Sequence, residues 1–269
     1  MKTIVFTLFM LVIAPFTVAE NSLTFAVVPQ QSASKLAQLW TPIVKELSQK
    51  SGLKIKFATA PDIPTFEKRL SQGLYDIAYM NPYHYVVFHK SNDYQALAKA
   101  KDKRIKGIIV VAKDSAINHF NDLNNATLAF PAPAAFAATI LTQSDLKASE
   151  VNFTAKYVSS HDSVYLTVAK GIYPAGGGVL RTFNNVAPNI KKQLRILSTT
   201  KGYTPHAIAT HPRVNIEEMN RLQEAIIAMD KTESGKALLD NIKIKGFESA
   251  KNTDWDDVRK LNLSVEVVH

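Results

Sequence analysis

The chain has 269 residues, 46% of them hydrophobic, enough for a core in one large or two modest domains. It contains no cysteine, which excludes disulfides, thiolate metal sites, a cysteine nucleophile and the lipid-bearing cysteine that tethers some exported proteins. The formal charge of +9 is spread along the chain, a general bias toward anions that argues against a nucleic-acid footprint.

Residues 1–19 read as an export leader. Lys2 is the basic start, Ile4 to Ile13 is an uncharged apolar run, and Thr17-Val18-Ala19 offers the small residues a signal peptidase reads. Cleavage after Ala19 removes Lys2 alone among the charges and leaves +8. The run is too short to span a membrane, and no later segment approaches that length. A soluble protein of the bacterial periplasm is expected.

Leu23 to Val28 reads as a buried strand, and Pro29-Gln30-Gln31-Ser32 as the loop after it. Ser32 or Ser34 can cap a helix to about Lys50, since Leu36, Leu39, Trp40, Ile43, Val44 and Leu47 recur at helical spacing. Gly52 is placed to end it. Leu53 to Phe57 alternates as a half-buried strand. Thr65 can cap a short helix through Leu70 that Gly73 closes. Tyr75 to Met80 is a strand that stops at Asn81-Pro82 and passes into a helix-like aromatic run. This alternation predicts right-handed crossovers and a parallel sheet. Asn81, Tyr83 and Tyr85 then stand at a strand's carboxyl end, where open α/β sheets hold ligands.

Ile105 to Ala112 is the next apolar strand, after the dense basic cluster Lys99, Lys101, Lys103, Arg104 and Lys106, which reads as a solvated face or a docking patch. A second α/β unit follows. It has a short helix at Asn121 to Leu123, strands at Thr127 to Phe130 and Val151 to Val158, and helices from Pro133 to Leu141 and Ser160 to Lys170. Tyr173 to Val179 reads as a strand end dissolving into Gly176-Gly177-Gly178, a run that lets backbone approach a ligand or the other lobe. Val186 to Gln193 is expected to be helical, Leu194 to Ser198 extended and Ala207 to Thr210 a strand. Ile216 to Met229, Ser234 to Asn241 and a segment near Trp255 to Leu261 are helices. No Gly/Ser/Pro linker separates two bodies. The expected fold is therefore α/β and two-lobed, with lobe I from 20–112 and 203–269, lobe II from 113–202, and two crossing segments as a hinge.

The first N–H groups of a helix lack internal partners and carry partial positive charge, so an anion is favoured there. Three helix starts follow strand ends: Gln30, Gln31 and Ser32; Ala134, Ala135 and Phe136; and His161, Asp162 and Ser163. Arg181, just beyond the glycine run, is the candidate charged anchor. His84 and His89 are five apart, as are His206 and His211, a spacing that does not put two rings on one helical face. The glycine run lacks the Lys-Ser/Thr of a phosphate loop. No metal and no cofactor are expected. Ser163 beside His161 and Asp162 does not make a triad, and no Gly-x-Ser-x-Gly elbow exists, so the chain is read as a non-enzyme, with a hydrolase as the less favoured alternative.

Val27 to Ser32 with its helix, Tyr75 to Tyr85, Ile108 to Ser115, Ser160 to Ser163 and Ala175 to Gly177 resemble, in order and spacing, the phosphonate-binding family of periplasmic solute-binding proteins. That family serves phosphate, phosphite and phosphonate ABC importers. The resemblance implies a type II (Venus-flytrap) fold, a small anionic ligand and an ABC permease as partner. A monomer is expected. A membrane histidine kinase reading the same clam as a sensor is the alternative. In the family a Ser-Thr-Ser run donates hydroxyl bonds to the phosphonate; the matching place here is Ala134-Ala135-Phe136. The family's histidine position matches His161, and the acid that holds an amino-alkyl tail falls near Tyr173. Each hydrogen bond to a charged group contributes about 1.5–3 kcal/mol. Loss of the hydroxyls therefore predicts a ligand with an anionic head and an organic body resting on Phe136 and the tyrosines.

Overall fold

Three apolar strands open the fold, and their pairing fixes where the site lies. The computed structural model describes residues 22–263; the leader at 1–19 and its cleavage point lie outside the described residues. Leu23–Val27 (β1) pairs in parallel with Ile55–Ala58 (β2) on one side and Ile77–Met80 (β3) on the other. Ala33–Ser51 (α1) and Ile63–Ser71 (α2) make the crossovers. Ser32 caps α1, and Gly52 ends it at φ 67°, where a side chain is strained. Asp62, not Thr65, caps α2: its carboxylate accepts the Thr65 N–H at 2.8 Å. The aromatic run is the helix Pro82–Asn92 (α3), capped by Asn81, whose side chain accepts the His84 N–H at 2.8 Å. Gln95–Ala100 (β4) follows.

The chain then crosses to a second sheet. Its strands are Gly107–Ala112 (β5), Ala126–Phe130 (β6), Phe153–Tyr157 (β7), Ala175–Val179 (β8) and Leu194–Thr199 (β9), in the order β7-β6-β8-β5-β9. β6 runs parallel to β7 and β8, whereas β5 is antiparallel to β8 and β9. The strand expected to finish the first lobe is thus an interior strand of the second sheet, between β8 and β9, and the crossing lies before Gly107 rather than at Ala112. The helices of this half are a π-helical turn Phe136–Leu141 continuing into Thr142–Ala148 (α4), then His161–Ala169 (α5), Leu180–Asn184 (α6) and Pro188–Lys191 (α7). The helix expected from Val186 shortens to α7.

The return crossing brings the chain back to the first sheet as Ala207–Thr210 (β10), antiparallel to β3 and β4. Ile216–Ala228 (α8), Glu233–Asn241 (α9), Phe247–Ser249 (β11) and Asp256–Arg259 (α10) complete it. The order is β11-β4-β10-β3-β1-β2, so this sheet is mixed, not wholly parallel. The two crossings hold each other. Ile105 N–H donates to the Tyr203 carbonyl at 2.8 Å, and Tyr203 N–H returns the bond at 3.0 Å.

Helices cover both faces of the first sheet. Trp40 packs 4.6 Å from the Tyr79 ring on the α1 side, as its helical spacing predicts for a core residue. Tyr85 packs 4.4 Å from Trp255 on the other. That second cluster continues without a break into Ala132 and Ala134–Leu141, so apolar contact joins the two halves. Gly176–Gly178 is not a fraying end but part of regular β8. A Cβ on Gly177 would lie 1.9 Å from the Ala138 carbonyl oxygen, and one on Gly107 2.1 Å from that of Ala137. These two glycines let the start of the Phe136 helix settle directly on the sheet, within its own lobe.

Candidate functional site

The helix start seated on those glycines leaves backbone donors beside a cavity between the lobes. Thr139 N–H donates to the Ala135 carbonyl at 2.7 Å, closing the first turn. The N–H groups of Phe136, Ala137 and Ala138 have no acceptor among the described residues. Together with Gln30, Asn81, His161 and His206, these three residues line a cavity of about 10 Å³ between the lobes, room for roughly one water molecule.

Direct bonds hold the lobes together around it. His161 N–H, the first of α5, donates to the Gln30 carbonyl at 3.0 Å. Asn81 Nδ2 donates to the Ala134 carbonyl at 3.1 Å. The Arg181 guanidinium donates to Gln30 Oε1. At the outer edge, Ser32 N–H reaches Asp162 Oδ2 at 3.4 Å. Burial pushes the Asp162 carboxyl up, against the Ser32 N–H and the Gln31 side chain that favour its charge. His161 is 1% exposed, with Nδ1 3.1 Å from Thr182 Oγ1. Burial, aided by the Arg181 charge, brings its pKa down to about 3, so the imidazole is neutral.

A second cavity of about 90 Å³ adjoins the first and shares Ile105, Val179 and His206 with it. Tyr79 and His206 stack 4.9 Å apart at its inner side. Lys103, Lys106, Arg181 and Lys243 also line it. Burial, then the Arg181 charge, holds His206 well below its ordinary pKa, and its buried Nε2 has no partner among the described residues.

The residues singled out from sequence divide between cleft and core. Gln30, Asn81, Ala135, Phe136 and His161 line the small cavity, Arg181 lines the larger, and Gln31, Ser32 and Asp162 meet beside them. Ala134 contributes only its carbonyl, to Asn81. Phe136 is 1% exposed and its ring packs edge-on against Tyr203 of the hinge, 5.7 Å away, so its backbone rather than its ring serves the cleft. Three residues lie elsewhere. The Tyr85 hydroxyl donates to Asn252 Oδ1 at 3.2 Å, in the core under Trp255. Tyr83 is buried in that same cluster. Ser163 serves the cap of α5: its N–H donates to Ser160 Oγ at 3.1 Å.

The histidine pairs are likewise placed apart. His84 Nε2 is 2.8 Å from Glu67 Oε1, His89 Nδ1 is 2.8 Å from the Tyr94 carbonyl, and His211 packs edge-on against Tyr94. Tyr79, Lys103, His206 and Lys243 were not among the expected site residues. The signal available for His206 was its place beside Pro205, directly before β10, on the return crossing.

The profile of the family described as "ABC transporter, phosphonate, periplasmic substrate-binding protein" matches residues 25–255. The phosphonates-binding periplasmic protein of Escherichia coli K12 is 22% identical over 92% of this chain and 78% of its own length. A binding component of an ABC phosphonate transporter from Pseudomonas aeruginosa superposes with TM-score 0.83 at 16% identity, covering 90% of this chain and 86% of its own. A Prochlorococcus marinus protein in complex with methylphosphonate gives TM-score 0.79 at 20% identity, over 90% and 98%.

Proposed function

This chain belongs to the periplasmic substrate-binding proteins of phosphonate ABC transporters, and from that premise we propose that it captures a small oxyanion between its lobes and delivers it to a membrane permease. The observation that carries this reading is the row of acceptor-less amides at Phe136, Ala137 and Ala138, buried beside Asn81 and the neutral His161. Amide donors at a helix start favour an anion without a nearby cation. The relatives, one a phosphonates-binding protein and one in complex with methylphosphonate, support phosphonate as the ligand class.

In this reading the lobes are residues 22–100 with 207–263, and 107–199. Residues 101–106 and 200–206, tied at Ile105 and Tyr203, form the hinge. The chain works as an exported, soluble monomer with no chemistry of its own. Ligand capture draws on contacts to both lobes at once, so binding and closure are linked. Calorimetry and thermal shift with phosphate, phosphite, methylphosphonate and acetate test the proposal. A phosphorus oxyanion should bind and raise the melting temperature by mass action. No binding of any of the three phosphorus compounds would refute it.

A further inference from the structure

The 90 Å³ cavity beside the amide row has a charge pattern that a plain oxyanion does not need. Five basic residues line it: Lys103, Arg104, Lys106, Arg181 and Lys243. No acid does. Arg104 is satisfied by Asp257 at 2.6 Å. Among the described residues, Lys103, Lys106, Arg181 and Lys243 have no carboxylate within ion-pair distance. Lys103 is held over the cavity by the Lys243 carbonyl at 3.5 Å. Burial, then the charges of Arg181 and Lys245, lower its pKa. At the inner wall the buried His206 Nε2, only 3% of that residue being exposed, also lacks a partner.

The chemistry unmet here is a negative charge with hydrogen-bond acceptors, and the cavity lies next to the amide row, sharing Ile105, Val179 and His206 with the small cavity there. We propose that the cavity seats a second anionic group of the ligand, so that the preferred solute is a short-chain molecule carrying an anion at each end, such as a phosphonocarboxylate. This rests on the oxyanion-capture reading above. It also predicts rejection of a ligand with a cationic tail, because an ammonium would enter a field of uncompensated positive charge.

Calorimetry with 3-phosphonopropionate, propylphosphonate and 2-aminoethylphosphonate tests it, in wild type and in Lys103→Gln/Lys243→Gln. Wild type should bind 3-phosphonopropionate about tenfold tighter than propylphosphonate, the increment of a hydrogen bond between charged groups, with 2-aminoethylphosphonate weakest. The ratio should fall toward one in the double variant and, in wild type, in high salt. Equal affinities, a preference for the amine, or a preference untouched by both the variant and salt would overturn the inference and leave oxyanion capture standing. Failure of all three compounds and of phosphate to bind would overturn both. The ligand comparison in wild type decides the matter even if the variant does not fold.

Discussion

Acidification should weaken the folded protein through His161 by an amount that can be worked out. Burial, with help from Arg181, brings the imidazole from its ordinary pKa of 6.5 to about 3. Between those values the unfolded chain holds one proton more than the native chain, so stability falls as the pH falls. Each pH unit below 6.5 removes about 1.36 kcal/mol, which makes the loss at pH 5 about 2 kcal/mol. His206, also held low by burial, contributes with the same sign. Asp162, whose carboxyl is pushed up, opposes them only as it takes up its proton. Urea unfolding of wild type and His161→Gln at pH 7.5 and pH 5 isolates the effect. The constant cost of the substitution cancels in the difference between the two pH values. Wild type should lose about 2 kcal/mol more than the variant over this interval. Equal losses would refute a buried neutral imidazole at the cleft.

Gly177→Ala places a methyl 1.9 Å from the Ala138 carbonyl. It should cost about 3 kcal/mol in urea unfolding and weaken methylphosphonate binding, since the amide row shifts with that carbonyl; unchanged affinity would detach the row from the site. Tyr85→Phe removes one hydroxyl bond to Asn252. It should cost about 1 kcal/mol and leave calorimetric affinity the same; a loss of binding would return Tyr85 to the cleft. Gln30→Ala frees the Arg181 guanidinium from a neutral acceptor. It should tighten anion binding several-fold, as a bond to a charged group no longer competes; weaker binding would make Gln30 a ligand contact instead.

Much of the fold was legible because its elements carry strong local signals. The apolar runs of β1 and β5, the helical spacing of Trp40 and its neighbours, and the Ser32 and Gly52 ends of α1 each follow from side-chain chemistry within a few residues. β4 and β11 escaped because Gln95–Ala100 is alanine-rich and has no β-branched residue, while Phe247–Ser249 is three residues long; both are strands only because neighbours pair with them. The glycine run was misread for a related reason. Nothing local says that Gly177 sits under the Ala138 carbonyl, 39 residues away in sequence. Around the cleft, Gln30, Asn81 and His161 were singled out because each stands in a loop or helix start just after a strand, whereas Tyr79 inside β3 and the lysines of the crossing carried no such signal. Lys103 and Lys243 meet only because β4 and α9 end near the same crossing.

The bonds between the lobes set the terms on which a ligand can enter. Gln30 provides two of them, its carbonyl to the α5 start and its side chain to Arg181, while Asn81 provides a third to Ala134. An arriving anion that takes Arg181 or the α5 amide displaces a protein acceptor of comparable geometry. Its net gain is therefore the difference between an ionic and a neutral acceptor, not the whole hydrogen bond. The Phe136–Ala138 amides stand outside that exchange, because they have no protein acceptor to lose. Selectivity then divides by place. The amide row rewards any oxyanion, and the contested donors reward only a ligand charged enough to outbid Gln30. A neutral solute gains little from either, which is the physical ground for reading this cleft as an anion trap.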